Sequence, residues 1–300
     1  MDVALVTCLE WPELSPSDTV LQKALIARGI DARPLAWNEP TADWSQPRMS
    51  IIRATWDYFN QRDVFLDWAR HVSQLHALWN PLPLLQWNTH KSYLRDLGER
   101  GVPIIPTAWF NKGSSVNFEE LLQERGWKEV VIKPAVSAEA YGTILIKEGM
   151  ALEGQLYIDH MLTLHDMLIQ PFMPAVLSSG ERSVIVVDGQ ITHALQRPPI
   201  HAVRPDGQEQ ADLPQKELVT PLEDEVQLVR KVMDALDSPT LYARVDLIRD
   251  MEGGPCLMEL ELVEPSLWMH WKPEAAELLA DVIVKQLQQA SSAQASSKAL

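Results

Sequence analysis

Two cysteines in 300 residues, Cys8 and Cys256, cannot make a disulfide framework, and their separation excludes a cysteine-based metal spacing. A reducing compartment suits such a chain. Long apolar runs are missing as well: none approaches the roughly 20 residues that cross a bilayer. Met1-Asp-Val-Ala-Leu-Val-Thr7 lacks the basic and apolar regions of a secretory signal. Positive charge is the minority sign. Lys+Arg 26 against Asp+Glu 41 leaves −15 with no basic cluster, so neither nucleic acid nor a membrane surface is an expected partner. The sequence also has no G-x-x-x-x-G-K-S/T loop, no G-x-G-x-x-G after a strand, no H-E-x-x-H and no G-x-S-x-G. The chain reads as cytoplasmic and soluble.

What is present begins with alternating strand and helix signals. Val3–Cys8, Ile30–Trp37 and Met49–Thr55 read as strands. Between them Asp18 is placed to cap a helix carrying Val20, Leu21, Leu25 and Ile26, and Asp63–Leu78 repeats apolar residues at helical spacing. Alternation of this kind predicts a parallel, doubly wound sheet, whose ligands sit beyond the carboxyl ends of the strands. Leu9–Pro12 and Arg53–Tyr58 occupy those positions. Trp79–Leu84, rich in proline, reads as a linker, after which Thr89 would cap a helix with Lys91 in its first turn, a position that favours phosphate. Hairpins are expected around 129–147, with a mobile tip, and around 181–195, turning at Asp188-Gly189. A flexible crossing over 198–215, a helix over 222–236 and a last helix from Pro273 to about Gln289 complete the order.

The most informative stretch is Leu241-Tyr-Ala-Arg-Val-Asp-Leu-Ile-Arg249 with Cys256-Leu-Met-Glu-Leu-Glu-Leu262, two strands joined near Gly253-Gly254. Alternation puts Arg244 and Asp246 on one face and Glu259 and Glu261 on one face. With a two- or four-residue loop the two faces coincide, leaving Ala243, Val245, Leu247, Met258, Leu260 and Leu262 for the core. Carboxylates crowded in this way destabilise a sheet unless something positive lies between them. A hard cation such as Mg²⁺, shared with substrate phosphates, answers that need. The competing reading is an amphipathic hairpin with its charges in water.

Taken with Trp87-Asn-Thr-His-Lys91, Val131-Ile-Lys-Pro-Ala-Val-Ser137 and Ile169-Gln-Pro-Phe172, the motifs Ala243-Arg-Val-Asp246 and Met258-Glu-Leu-Glu261 resemble the ATP-grasp superfamily. Within it they are similar to the small stand-alone ligases related to glutathione synthetase, D-alanine–D-alanine ligase and the ring-closing ligase of cycloserine biosynthesis. The resemblance implies an α/β protein with three parts. These are an N-terminal parallel domain over 1–88, a lid over 113–171, and an antiparallel lobe formed by 89–112 and 172–289. A disordered tail is expected over 290–300.

The resemblance also implies roles. Lys91 and Lys133, with Ser137 on the lid loop, would hold ATP phosphates, Gln170 and Phe172 would line the adenine, and Glu181 would touch adenosine or substrate. Asp246, Glu259 and Glu261 would hold Mg²⁺ or Mn²⁺, and Arg244 and Arg197 would face the transferring phosphoryl group. Arg53, Trp56, Asp57, Tyr58 and Ser266 are the substrate candidates, for an amino-acid-like carboxylate. The implied reaction activates a carboxylate as an acyl phosphate for attack by an amine, amide nitrogen or hydroxyl, between molecules or within one. Homodimers are frequent among such ligases. Two departures stand out: the lid loop Ser137-Ala-Glu-Ala-Tyr-Gly142 has one glycine and a Glu139 that would repel phosphate, and Glu261 replaces the asparagine of D-alanine ligases. A nucleotide-binding regulator with little turnover, and an unrelated acidic α/β protein, are the other readings. Trp68 and Trp127 read as packing, Trp268, His270 and Trp271 as equally suited to flanking substrate, His165 and His201 as polar fillers, and Glu264 as a turn cap.

Overall fold

The computed structural model describes residues 1–138, 141–198 and 216–297, with side chains to 289. Glu139, His201, most of the 198–215 crossing and 298–300 lie outside them. Three sheets organise the described residues. The first is parallel, in the order β2-β1-β3-β4, with β1 Val3–Thr7, β2 Ala32–Ala36, β3 Met49–Ala54 and β4 Ala77–Trp79. The second is antiparallel, β5-β8-β6-β7, from Ala108–Phe110 (β5), Val130–Pro134 (β6), Ile144–Ile146 (β7) and Met167–Pro171 (β8). It takes in β5, which precedes residue 113. The third is a five-stranded antiparallel sheet in the order β11-β10-β9-β12-β13. Its strands are Glu181–Val187 (β9), Gln190–Arg197 (β10), Glu217–Val219 (β11), Tyr242–Arg249 (β12) and Pro255–Glu261 (β13).

Local chemistry explains where several expectations move. The first helix starts at Pro16 because Ser15 caps it: the Ser15 Oγ accepts from the Asp18 amide at 3.1 Å. Asp18 lies one turn inside, buried, where it accepts from the Ser15 hydroxyl at 2.6 Å. The helix expected over 63–78 is Arg62–Leu75; His76 turns extended, and Leu78 belongs to β4. Trp79–Leu84 is no loose linker. Asn80 is fully buried, donating to the carbonyls of Tyr242 at 3.0 Å and Leu262 at 2.7 Å and accepting from the Leu241 amide at 2.7 Å. A helix, Leu82–Asn88, begins at once with proline in its first turn. Thr89 therefore ends that helix instead of starting the next, which is Tyr93–Glu99. The last helix runs Pro273–Ser297, through most of the expected disordered tail, since alanine- and glutamine-rich 285–297 holds no proline or glycine.

One core ties the N-terminal sheet to the antiparallel lobe. Leu5 and Ile51 pack with Ile185 and Val187 of β9 and with Leu279 and Ile283 of the last helix. Beneath the five-stranded sheet, Val184, Val245 and Leu260 meet Tyr93, Leu97 and Val229. The second sheet has its own core around Phe118, Ile132 and Ile169. The other face of the five-stranded sheet packs through Ile185, Val187 and Tyr242 on the N-terminal core and carries polar groups beyond them. No helix among the described residues is long and apolar enough to cross a membrane.

Candidate active site

The β12–β13 hairpin sets the site. Its loop is neither two nor four residues but five, Asp250–Gly254, since Arg249 pairs with Pro255. That register alone would put Glu259 and Glu261 on the core face. A bulge between Asp246 and Leu247 absorbs one residue on β13, Met258, and restores the pairs Asp246–Glu259 and Arg244–Glu261. Met258, expected in the core, is half-buried as a result. Asn88 clips the outer edge of β13, donating to the Leu260 carbonyl and accepting from the Leu262 amide, both at 2.8 Å.

On the polar face, one carboxylate oxygen from each of Asp246, Glu259 and Glu261 lies within 4.8 Å of the others. Arg244 reaches across two of them, donating to Asp246 at 2.9 Å and to Glu261. Ser183, opposite Asp246 on β9, donates to it at 2.6 Å. Arg197, opposite Glu181, pairs with that carboxylate at 2.7 Å and with Asp246 at 3.6 Å. Lys91 pairs with Glu259. Burial alone would raise Glu259, but Lys91, Lys133 and Arg244 outweigh it and hold the carboxyl at about 2. Burial, with Glu259 and Asp246 adding to it, pushes Glu261 up to about 7 despite Arg244. One carboxylate is thus firmly charged beside another that holds its proton near neutrality. Divergence of this kind clusters at functional sites.

The lysines converge from two elements. Lys91 precedes its helix instead of lying in the first turn, and its amide donates to the Ala135 carbonyl at 2.7 Å, tying it to the end of β6. Lys133 sits on β6, where burial and then the Lys91 charge lower its ammonium to about 8. At Lys91 burial is outweighed by the carboxylates, Glu259 first, which raise its ammonium, so the two lysines shift in opposite directions. Ser137 donates to the Pro134 carbonyl at 3.3 Å. On β8, Gln170 is buried and donates to Thr107 at 2.9 Å, and the Phe172 amide is taken by the Glu129 carbonyl at 2.8 Å.

Residues 3–80 match the family model for the D-cycloserine synthetase DcsG N-terminal domain. The chain is 28% identical over 270 residues to the cycloserine biosynthesis protein DcsG of Streptomyces lavendulae, covering 86% of this chain and 90% of that protein. The crystal structure of D-cycloserine synthetase DcsG superposes with a TM-score of 0.86 at 28% identity, over 96% of this chain and all 100% of that one. D-alanine–D-alanine ligase from Bacillus anthracis shares the fold, with a TM-score of 0.67 at 15% identity over 98% and 99% of the two chains. The chain has the ATP-grasp fold and is similar to the ATP-grasp ligases.

On this ATP-grasp frame the residues expected for substrate fall into two groups. Arg53 is 1% exposed: its Nε donates to Asp18 and an Nη to the Pro265 carbonyl, each at 2.7 Å, and its guanidinium stacks on Tyr242. It spends its charge inside the molecule and presents none to a ligand. Asp57 is engaged likewise, its two oxygens accepting from Trp37 and Asn38 at 2.7 Å each. A lone sequence hides both, because the partners lie 35 and 20 residues away. Trp56 donates to the Glu264 carbonyl at 3.2 Å, Tyr58 is buried, and Ser266 is half-buried. Three groups were underread. Ser183 has only the alternation of β9 to announce it. Arg244 and Lys216 each lie over the Trp268 ring, at 5.2 and 5.1 Å from its centre. Glu264 is buried. Trp68 packs against Trp37, Trp44 and Phe65, as a core residue.

Proposed function

We propose that the chain couples ATP cleavage to activation of an amino-acid-like carboxylate as an acyl phosphate, which a nitrogen of the same molecule attacks to close a small ring. The observation that carries the reading is the convergence of Asp246, Glu259 and Glu261 with Arg244 on one sheet face. Hard carboxylate oxygens at this spacing suit Mg²⁺ or Mn²⁺, which when bound would neutralise charge on the terminal phosphates.

The chain's own groups do the rest. Lys91 and Lys133 draw in the phosphates, with Ser137 at the lid loop and Gln170, Phe172 and Glu181 around the nucleoside. Arg244 and Arg197 stand where the phosphoryl group passes from ADP to the carboxylate and stabilise its charge. Trp56, Tyr58 and Ser266 border the substrate. Phosphate leaves the acyl carbon as the nitrogen bonds to it and loses a proton. No protein nucleophile is needed, and the work is positioning. The likeness to the cycloserine protein favours ring closure over joining of two molecules. We place this activity in the cytoplasm.

The test is ADP and phosphate release from Mg·ATP across aminooxy, ureidooxy and ordinary amino acids, with products identified by mass spectrometry. A cyclic product formed by the wild type, with turnover falling about 100-fold or more in Glu259→Gln, supports the reading. Nucleotide binding without ADP release on any carboxylate would leave a nucleotide-binding regulator in its place.

A further inference from the structure

Two residues other than glycine have a positive φ among the described residues, Asp188 at 48° and Trp268 at 46°. Asp188 and Gly189 form the two-residue turn between β9 and β10, which demands such angles and tolerates aspartate there. No hairpin turn accounts for Trp268. A left-handed backbone crowds the β-carbon of a bulky residue against the following carbonyl, and such strain persists only where the surroundings over-determine it. Here they do. The Leu267 carbonyl accepts from His193 Nε2 on β10 at 3.0 Å, and the Met269 amide donates to Ser17 Oγ in the first helix at 3.0 Å. The Trp268 carbonyl itself accepts from the Trp271 amide at 2.9 Å. Leu267 and Met269 are fully buried in the core shared by the N-terminal sheet and the last helix. The chain is thus clamped on both sides of one strained residue.

What the clamp holds in place is the indole. Trp268 is 9% exposed, and the Arg244 guanidinium lies over its ring at 5.2 Å from the centre. The Lys216 ammonium lies over the same ring at 5.1 Å. At these distances the ring attracts both cations through its π face. Arg244 otherwise holds to Asp246 and Glu261, two members of the acidic cluster. Those carboxylates are also the candidate ligands of a cation, so their oxygens have two uses. The ring attracts the guanidinium without drawing on any carboxylate oxygen. Arg244 is therefore held from the ring side even where its carboxylates are engaged elsewhere.

We propose that Trp268 is a positioning residue for Arg244: its ring, set by a strained and clamped backbone, keeps the guanidinium aimed at the terminal phosphate of the nucleotide. This rests on the ligase reading above, in which Arg244 meets the transferring phosphoryl group, and adds a residue that touches none of the reacting atoms. A flat aromatic face fixes the plane of a guanidinium, which an aliphatic side chain does not. A misplaced charge loses much of its effect on a group it must meet at close range. ADP has no terminal phosphate for Arg244 to meet, so the difference between a triphosphate and ADP reads the aim of this side chain.

Calorimetry on the full chain compares Mg·AMPPNP, a triphosphate analogue, with Mg·ADP. The proteins are the wild type, Trp268→Leu, Trp268→Phe, Arg244→Lys and the double variant of Trp268→Leu with Arg244→Lys. The wild type should bind the triphosphate more tightly by about tenfold or more. Trp268→Leu should cut that preference to about twofold through AMPPNP alone, with the ADP affinity unmoved. Trp268→Phe keeps an aromatic face and should restore most of the preference. In the Arg244→Lys background, Trp268→Leu should shift the ratio by less than about twofold further. If Trp268→Leu lacks a cooperative unfolding transition, Trp268→Met, longer and without a ring, should give the same result. Undiminished preference in the ring-less variant overturns the proposal. Equal loss of affinity for both nucleotides, or full additivity with Arg244→Lys, also overturns it, by making Trp268 a packing residue. A wild type that binds both nucleotides equally overturns it and leaves the ligase reading standing, whereas one that binds neither overturns both.

Discussion

Lys91 and Glu259 form an ion pair at the edge of the acidic cluster, one from the turn before a helix and the other from β13. The pair ties the segment before that helix to β13. Lys91→Met should therefore cost both stability and nucleotide affinity. Because the Glu259 side chain is 33% exposed, the loss should fall below that of a fully buried pair, at about 2 kcal/mol in denaturant unfolding. The KM for ATP should rise at least about tenfold in the same variant. An unchanged ATP response would remove Lys91 from the phosphate site.

Ser183, which donates to Asp246, is expected to act through that carboxylate. Removal of its hydroxyl in Ser183→Ala leaves the Asp246 carboxylate held by Arg244 and Arg197 alone. The apparent Mg²⁺ requirement should rise about tenfold, with a stability loss near 1 kcal/mol. Titration of ADP release against Mg²⁺ reads the first quantity and thermal unfolding the second. A lowered kcat with an unaltered Mg²⁺ curve would contradict the metal-orienting role.

Arg53 is expected to matter for folding and little for substrate choice. Its fork joins Asp18 in the first helix to the Pro265 carbonyl beyond β13. Arg53→Lys keeps the charge but cannot make both bonds. It should destabilise the protein by about 3 kcal/mol, and a double-mutant cycle with Asp18→Asn should show strong coupling. If Arg53→Lys instead raised the substrate KM without loss of stability, the internal role would be wrong.

His193 gives the pH dependence. Its ring is buried on β10, with Nε2 donating to the Leu267 carbonyl at 3.0 Å and Nδ1 at 2.9 Å from the Thr192 hydroxyl. Burial lowers it from 6.5 to about 4, so the unfolded chain binds the extra proton first. The stability this neutral ring contributes is complete above pH 6.5 and is lost as pH falls from 6.5 through 4, up to about 3 kcal/mol. His193→Gln should flatten that slope in unfolding curves measured across the window. A slope of the same size in the variant would assign the acid sensitivity to other groups.

The legible and hidden parts of this fold divide by distance along the chain. Asp246, Glu259 and Glu261 could be read because their meeting depends on one local hairpin and a period of two. Even there the route differed, since a five-residue loop and a bulge produce the alignment a shorter loop would have given. Arg53 looked like a substrate ligand because its partner Asp18 lies on another element. Asn80 looked like part of a linker because proline neighbours dominate the local signal, while its three bonds go to residues more than 150 positions away.

β13 is the outermost strand of its sheet, and an open strand edge is a template on which another chain can add. Here that edge is used up from within. Asn88 takes the Leu260 carbonyl and the Leu262 amide, the Tyr93 hydroxyl takes the Leu260 amide, and the Pro103 carbonyl takes the Leu257 amide. Side chains and loops thus stand in for a sixth strand without providing one that could slip in register. The same plugs that keep Glu259 and Glu261 in place also protect this edge from self-association by strand addition, so Asn88→Ala should turn a geometric defect into an aggregation risk.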